Sequence, residues 1–179
     1  YDYSENILVQ ESAGHLLEQE LGWQVEFAYN QEVLGESGTF GRKSYKDILL
    51  LRYFQQALKT LNPWINDAQI DEAKKKFEHH ISTASLMQIN EEKYDYIRDG
   101  IPVTVKKPNG QTEVKKAAVI DFQNAGNNYF LAIKELKIHG DLYRRRTDIV
   151  GFVNGIPLLF VELKKNSVDV QNAYTDNYT

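Results

Sequence analysis

Three ionisable residues near the end of the chain have types and spacing that suit chemistry: Asp148, Glu162 and Lys164. Two carboxylates offer the hard oxygen ligands that Mg2+ prefers, and the backbone carbonyl of Leu163 can add a third. A lysine beside such a centre can orient a water molecule and stabilise the negative charge that develops on a phosphate. These residue types therefore suit metal-assisted hydrolysis of a phosphodiester.

The three residues lie at the open end of a predicted β-hairpin. Apolar runs at residues 149–153 and 156–161 flank Asn154-Gly155, the dipeptide most typical of short hairpin loops because both residues tolerate positive φ. Both faces of the hairpin are otherwise apolar, which predicts strands that are covered on both sides. Charged residues in such surroundings are costly unless they are paired, hydrogen-bonded or bound to metal.

Strand parity decides whether Asp148 and Glu162 can share one cation. A two-residue loop pairs Asp148 with Val161, so that Glu162 lies on the opposite face. A three-residue loop, 153–155, whose glycine is a bulge residue, pairs Asp148 with Phe160 and puts Glu162 diagonally on the same face, roughly 7 Å away at the backbone. A shared metal site therefore predicts the three-residue loop or an equivalent bulge.

A structural interpretation of the same residues stays open beside the chemical one. Asp148 can cap the start of a strand, and Glu162 with Lys164 can be an ordinary charged pair at the end of one. The run Arg144, Arg145 and Arg146 is likewise either a phosphate-binding rim or a solvated strand entry. Because alternate strand residues face opposite ways, at least one of these arginines must reach solvent or a partner.

Composition sets outer limits on the function. The chain has 179 residues, of which 42% are hydrophobic, enough for a sizeable core. It has no cysteine, which excludes disulfides and fits a cytoplasmic protein, and it has no signal peptide or membrane-spanning apolar run, so no membrane partner is expected. No GxxxxGK[ST] phosphate loop occurs, so ATP hydrolysis by that route is excluded. Residues 101–179 carry 11 Lys and Arg against 8 Asp and Glu, a positive balance that suits an anionic polymer.

The elements that must position the three residues follow from periodicity and capping signals. Segment 30–43 is predicted to be a mobile loop. The order of elements predicts an α/β or α+β fold with helices against both faces of a sheet, and a helical insertion at about 44–99 within a single domain, 1–179. Helices are predicted at 4–21, 44–61, about 68–80, from Ser82 or Thr83 to about 98, and 168–178; strands are predicted at 23–29, 101–106, 114–121 and 129–137.

The segment TDIVGFVNGIPLLFVELKK, residues 147–165, resembles the PD-(D/E)xK nuclease motif at the N-terminus of the restriction (motor) subunit of type I restriction endonucleases. The resemblance extends through IDFQNAGNNYFLAIKELKIHG, residues 120–140, and SENILVQESAGHLLEQELGWQV, residues 4–25. A bare D-x13-E-x-K pattern is common, but its setting in an apolar Asn-Gly hairpin after the FQN…NYFL block is specific.

The resemblance implies a restriction-endonuclease-like fold, a central mixed sheet flanked by helices, and a Mg2+-dependent endonuclease domain that cleaves double-stranded DNA. An acidic residue of the first helix often approaches the metal in this superfamily; Glu11 is the candidate, with Glu5 as the alternative. The resemblance implies Asp148 and Glu162 as metal ligands and Lys164 as the catalytic lysine. The Leu163 carbonyl is the candidate third ligand, and the candidate contacts to DNA are Arg144, Arg145, Arg146 and Lys165.

In such a subunit, helicase-like motor domains that use ATP follow the nuclease domain, and the subunit assembles with methyltransferase and specificity subunits. Motor domains are absent here, and the chain begins at Tyr1 and stops in a helix-like stretch at Thr179, so a fragment of a larger subunit is expected. Two positions depart from the pattern: Thr147 replaces the proline of the motif, and the glutamine of the related QxxxY element falls on Asp176. The alternative function is a catalytically silent DNA-binding or subunit-docking module with the same fold.

Overall fold

The computed structural model describes residues 5–79, 85–140 and 143–163, with side chains from Val9 onward. Its helices are α1 (Glu5–Gln19), α2 (Leu51–Leu61), α3 (Asp67–Glu78) and α4 (Leu86–Asp99), with a short 3-10 turn at Ala125–Asn127. Its strands are β1 (Gln24–Phe27), β2 (Ile101–Lys106), β3 (Thr112–Ala117), β4 (Phe130–Lys134), β5 (Lys137–His139), β6 (Arg144–Arg146), β7 (Ile149–Val153) and β8 (Ile156–Val161). The helix predicted at 168–178 lies outside the described residues.

Contacts among the described residues divide them into two compact units. The first unit contains the residues up to Ile48 and those from Phe130 onward, and the second is Leu49–Tyr129. The second unit contains α2, α3 and α4 and also the antiparallel pair β2–β3, so it extends beyond the helical segment 44–99 that the sequence predicts as an insertion. No helix in the described part of the chain is long and apolar enough to cross a membrane.

The first unit is built on a four-stranded mixed sheet with the order β1-β4-β7-β8. Strand β1 runs parallel to β4, while β4 with β7 and β7 with β8 are antiparallel. Helix α1 covers one face of this sheet, where Leu17 packs against Ala132 and Ile149. The mixed sheet and its helices confirm the predicted α+β, restriction-endonuclease-like fold.

The β7–β8 hairpin differs from the predicted loop. Asn154 and Gly155 have φ values of 53° and 80°, and Val153 pairs with Ile156, so the loop has two residues and the predicted three-residue loop is wrong. The extra residue lies further along, in β8. The partners Phe152–Pro157 and Gly151–Leu159 leave Leu158 without an opposite residue, which is the equivalent bulge.

Only one strand of the hairpin is covered on both faces. Every residue of β7 is buried, as its continuous apolar run predicts. In β8, Leu158 and Phe160 are 48% and 53% exposed, so the prediction of coverage on both sides is wrong for this strand. Strand β8 lies at the edge of the described sheet, and no strand of the described residues pairs with its other side.

Segment 30–43, predicted as a loop free to move, is anchored by a buried ion pair. The Arg42 guanidinium donates to both carboxylate oxygens of Glu32, at 2.8 and 2.6 Å, and both side chains are almost fully buried. It also donates to the main-chain oxygens of Asp47 and Lys137. A bidentate pair with further hydrogen bonds satisfies both charges, so this ion pair anchors the irregular segment.

Two helices begin later than the sequence predicts. Residues 44–50 are not helical, because the Asp47 carboxylate accepts hydrogen bonds from the main chain of Lys43 and Ser44 and closes a turn there. Helix α4 is capped by Ser85, which accepts from the Gln88 N–H in a reciprocal capping box, rather than by Ser82 or Thr83.

Candidate active site

The hairpin register brings Asp148 and Glu162 together. They are the residues immediately beyond its last pair, Ile149 with Val161. Continuing the register by one residue sets the two carboxylates directly opposite each other on one face, where Cβ atoms are about 4.5–5.5 Å apart. The bulge in β8 therefore produces the same-face arrangement that the three-residue loop was expected to give, with a closer spacing than the predicted diagonal. Both side chains are half-buried.

Asp148 is held by hydrogen bonds to its side chain and its backbone. Its carboxylate oxygen Oδ2 accepts the Leu163 N–H at 2.7 Å. Its main-chain oxygen accepts the Glu135 N–H at 2.9 Å and the Gln10 side-chain amide, Nε2, at 3.1 Å. The segment after β8, the residue after β4 and helix α1 thus each contribute one donor to Asp148.

Thr147, which stands where the motif usually has proline, is buried and also anchored. Its N–H and its hydroxyl both donate to the main-chain oxygen of Leu136, at 3.0 and 3.2 Å. A proline has no N–H and could not make the first of these bonds. The threonine therefore fixes the entry to Asp148 by hydrogen bonding instead of by ring geometry.

An open cleft of about 620 Å³ lies beside the carboxylate pair. Its lining includes Phe160 of β8 and Glu162 just beyond that strand, together with Tyr143 and the three arginines of β6. Arginine side chains beside a pair of carboxylates that could hold a cation suit a polyanionic ligand.

The three arginines of β6 differ in their contacts with the rest of the protein. Arg146 makes an ion pair with Glu135 at 3.2 Å and its guanidinium lies 4.8 Å from the centre of the Tyr29 ring. Arg145 is half-buried with its guanidinium 6.0 Å from the Tyr143 ring centre, and Arg144 is exposed. Arg144 is therefore the arginine with the greatest freedom to contact a ligand, and Arg146 also has a role in the fold.

Glu11, the predicted additional metal ligand, makes an ion pair with Lys134. Its Oε1 lies 2.8 Å from the Lys134 ammonium, and its side chain is 59% exposed. Among the described residues no group of three or more acidic or histidine side chains could hold a metal together, so Glu11 does not join Asp148 and Glu162 in such a group. The side chain of Glu5, and Lys164, Lys165 and Asp176, lie outside the described residues.

The donors that are present fit a magnesium ion. Mg2+ commonly binds one or two protein carboxylates and keeps several waters, so two half-exposed carboxylates on one face form a suitable set. The Leu163 N–H already occupies Asp148 Oδ2, which fixes the orientation of that carboxylate. Sequence reasoning missed Gln10 and Glu135, because a glutamine within a helix and a left-handed glutamate carry no sequence signal.

Comparison with known proteins shows the family of the chain. The family model of the type I restriction enzyme R protein N terminus matches residues 2–179. The type I restriction enzyme HindI endonuclease subunit of Haemophilus influenzae is 31% identical over 160 residues, 87% of this chain and 15% of that protein. The putative type I restriction enzyme MjaIXP endonuclease subunit of Methanocaldococcus jannaschii is 28% identical over 143 residues, 77% of this chain and 14% of that protein. The chain therefore spans about one-seventh of these relatives, and it belongs to the family of type I restriction enzyme R protein N-terminal regions.

Proposed function

We propose that the chain is a Mg2+-dependent endonuclease domain that hydrolyses phosphodiesters of double-stranded DNA within a type I restriction enzyme. The observation that carries the proposal is the bulge in β8, since it sets Glu162, which lines the arginine-lined cleft, opposite Asp148. A hairpin with the same two-residue loop and no bulge would separate the carboxylates onto opposite faces. Both relatives described above are named as endonuclease subunits, which supports the same class of activity.

Each residue of the proposed site has a distinct role. Asp148, Glu162 and the Leu163 carbonyl would hold the cation, while the Leu163 N–H keeps the Asp148 carboxylate oriented. When bound, Mg2+ supplies Lewis-acid stabilisation of the charge on the reacting phosphate. Lys164 would stabilise that developing charge with its ammonium group and orient the attacking water, the role that its place in the motif implies.

DNA would enter from the side of the cleft that β6 lines. Arg144 and Arg145 can contact phosphate oxygens without reading the base sequence, and Lys165 is proposed to do the same. Arg146 would contribute to the positive potential while it stays paired with Glu135. Binding through such contacts is expected to weaken steeply with salt.

The partners proposed for this chain follow from the family. In the assembled enzyme, ATP would be used by motor domains of the same subunit, and methyltransferase and specificity subunits would complete the complex. This chain spans 15% and 14% of the two relatives described above, so these partners belong to the proposal.

The test is cleavage of supercoiled plasmid by the assembled enzyme with Mg2+ and ATP. Asp148→Asn, Glu162→Gln and Lys164→Ala should each reduce cleavage by about 100-fold or more, because each removes a group that acts on the reacting phosphate. ATPase activity and DNA binding should persist. Asp71→Asn removes an exposed acid of the second unit and is the matched control, with cleavage like that of the wild type.

Cleavage that survives the three substitutions would refute the proposal. An unaltered enzyme that binds DNA and hydrolyses ATP but never cuts would favour the silent docking module instead. The Asp148→Asn variant is informative because asparagine can still accept the Leu163 N–H, so a loss of cleavage reports the lost charge more than a lost hydrogen bond.

A further inference from the structure

Gln10 is a buried polar residue in helix α1 that neither the motif nor the proposed chemistry uses. Its side chain is directed at the sheet, and Gln10 is 5% exposed. A buried amide is costly unless it is hydrogen-bonded, and Nε2 of Gln10 donates to the main-chain oxygen of Asp148 at 3.1 Å. This bond joins residues 138 positions apart in the sequence.

The main-chain oxygen of Asp148, which accepts this bond, also accepts a second hydrogen bond. The Asp148 carbonyl also accepts the Glu135 N–H at 2.9 Å, so both of its lone pairs are engaged. The peptide that follows Asp148 is therefore held from α1 and from the end of β4 at once. With the Leu163 N–H on the carboxylate, the backbone and the side chain of Asp148 are each restrained.

We infer that Gln10 is a positioning residue that sets the orientation of Asp148 as a metal ligand, an inference that rests on the proposed function. It acts through the Asp148 backbone and does not touch the cation or the substrate. Groups that orient metal ligands in this way commonly alter metal affinity when they are removed.

The chemistry of the position explains why the side chain is an amide. An ionised glutamate at position 10 would face a carbonyl oxygen without a proton to donate, and it would add a third negative charge beside the carboxylate pair. Glu11 has a different environment, since its carboxylate is paired with Lys134. Neighbouring residues of one helix thus have separate functions, because successive side chains point about 100° apart.

The test compares Gln10→Met with Gln69→Met in the full chain. Gln69 is 6% exposed, and its Nε2 donates to the main-chain oxygen of Thr104 at 3.3 Å in the second unit, while its Oε1 accepts the Asn66 N–H. It is therefore a buried glutamine with the same kind of donor bond. Two readouts apply: Mn2+ affinity measured by electron paramagnetic resonance, and hydrogen exchange of the Leu163 N–H measured by NMR without metal.

Gln10→Met is expected to raise the Mn2+ dissociation constant about 10- to 100-fold. It should also speed exchange of the Leu163 N–H about fivefold to tenfold, the equivalent of losing most of one hydrogen bond. Gln69→Met should change neither quantity. Should the methionine variant fail to fold, Gln10→Glu keeps the volume of the side chain, loses the donor when ionised, and is expected to speed Leu163 exchange as well.

A folded Gln10→Met variant with wild-type Leu163 exchange and wild-type Mn2+ affinity would overturn the inference. Asp148→Asn separates this failure from a failure of the proposed function. If Asp148→Asn binds Mn2+ as the wild type does, the proposed metal site is wrong, and the assignment of Gln10 to that site falls with it. If Asp148→Asn loses Mn2+ binding while Gln10→Met keeps both readouts, only the role of Gln10 is wrong.

Discussion

Gly151 lies where the β7–β8 register shifts, and it has no room for a methyl group. A Cβ atom there would lie 2.7 Å from Cζ3 of Trp23 and 2.9 Å from Cβ of Leu159. Ordinary contacts begin at 3.4 Å, so the Trp23 ring would have to retreat by about 0.7 Å. That ring already packs against Phe130, with centroids 5.2 Å apart, which limits its movement.

We therefore predict that Gly151→Ala lowers the free energy of unfolding by about 1–3 kcal/mol, the usual cost of forcing an extra carbon into a packed core. For a chain of this length the melting temperature should fall by about 2–4 °C for each kcal/mol. Relief by movement of β8 would displace Glu162 relative to Asp148, so proposed cleavage activity should fall together with stability.

The measurement is urea unfolding followed by tryptophan fluorescence. The chain has two tryptophans, Trp23 in the first unit and Trp64 in the second, so a Trp64→Phe background reports the first unit alone. The control is Gly14→Ala in α1, where the nearest atom is Lys134 Cδ at 3.4 Å and alanine should stabilise the helix by up to about 1 kcal/mol. A Gly151→Ala variant within about 0.5 kcal/mol of the wild type would refute the steric reasoning.

Two further predictions concern charged groups. Arg42→Met leaves the Glu32 carboxylate buried without its partner, and urea unfolding should show a loss of about 3–5 kcal/mol, while an unchanged midpoint would contradict a buried ion pair. Hydrogen bonds from Lys76 and the Thr104 N–H lower the pKa of Glu72 below its ordinary 4.5, so the stability from this carboxylate is present above pH 4.5 and is lost as the pH falls through the lowered value. Glu72→Gln should flatten the acid-side fall of the unfolding midpoint reported by Trp64, and an equally steep fall would count against this assignment.

The sequence predicts the hairpin well because Asn154-Gly155 has a specific conformational reason to turn, and both residues have positive φ. It cannot predict the bulge. Leu158 and Leu159 are identical apolar residues in one continuous run, so an extra residue there leaves no break in the pattern. Only the requirement that the two carboxylates share a face demanded a bulge, and its position in β8 rests on packing around Gly151.

Helix boundaries were predictable where a local cap determines them. Helix α3 begins after Asn66, whose side chain accepts the Gln69 N–H, close to the predicted start. The start of α2 was not predictable, because the turn at Asp47 depends on Arg42. The Arg42 guanidinium, in a preceding segment, donates a hydrogen bond to the Asp47 carbonyl. The single predicted strand 129–137 is broken for a similar reason: Glu135 has φ 55°, which no propensity favours for glutamate.

That break in pairing keeps the register of the strands on either side. Lys134 pairs with Ile149 and Lys137 pairs with Arg146. Two residues therefore lie between these pairs on each of the two segments, and no residue is inserted or lost. Glu135 therefore lies opposite Asp148, and Leu136 lies opposite Thr147. The hydrogen bonds within these two pairs fix the backbone around the proposed metal ligand, Asp148. Asp148 thus has a register-preserving break on one neighbouring strand and a bulge on the other.

Such a coincidence of two irregularities at one residue needs a reason, because each gives up regular ladder hydrogen bonds. The break lets the Asp148 carbonyl accept a helix side chain as well as a strand N–H. The bulge brings Glu162 onto the same face as the Asp148 carboxylate. Strand β7 is otherwise a fully buried, regular strand, so the departures from regularity are confined to the end where the proposed chemistry needs a fixed carboxylate pair.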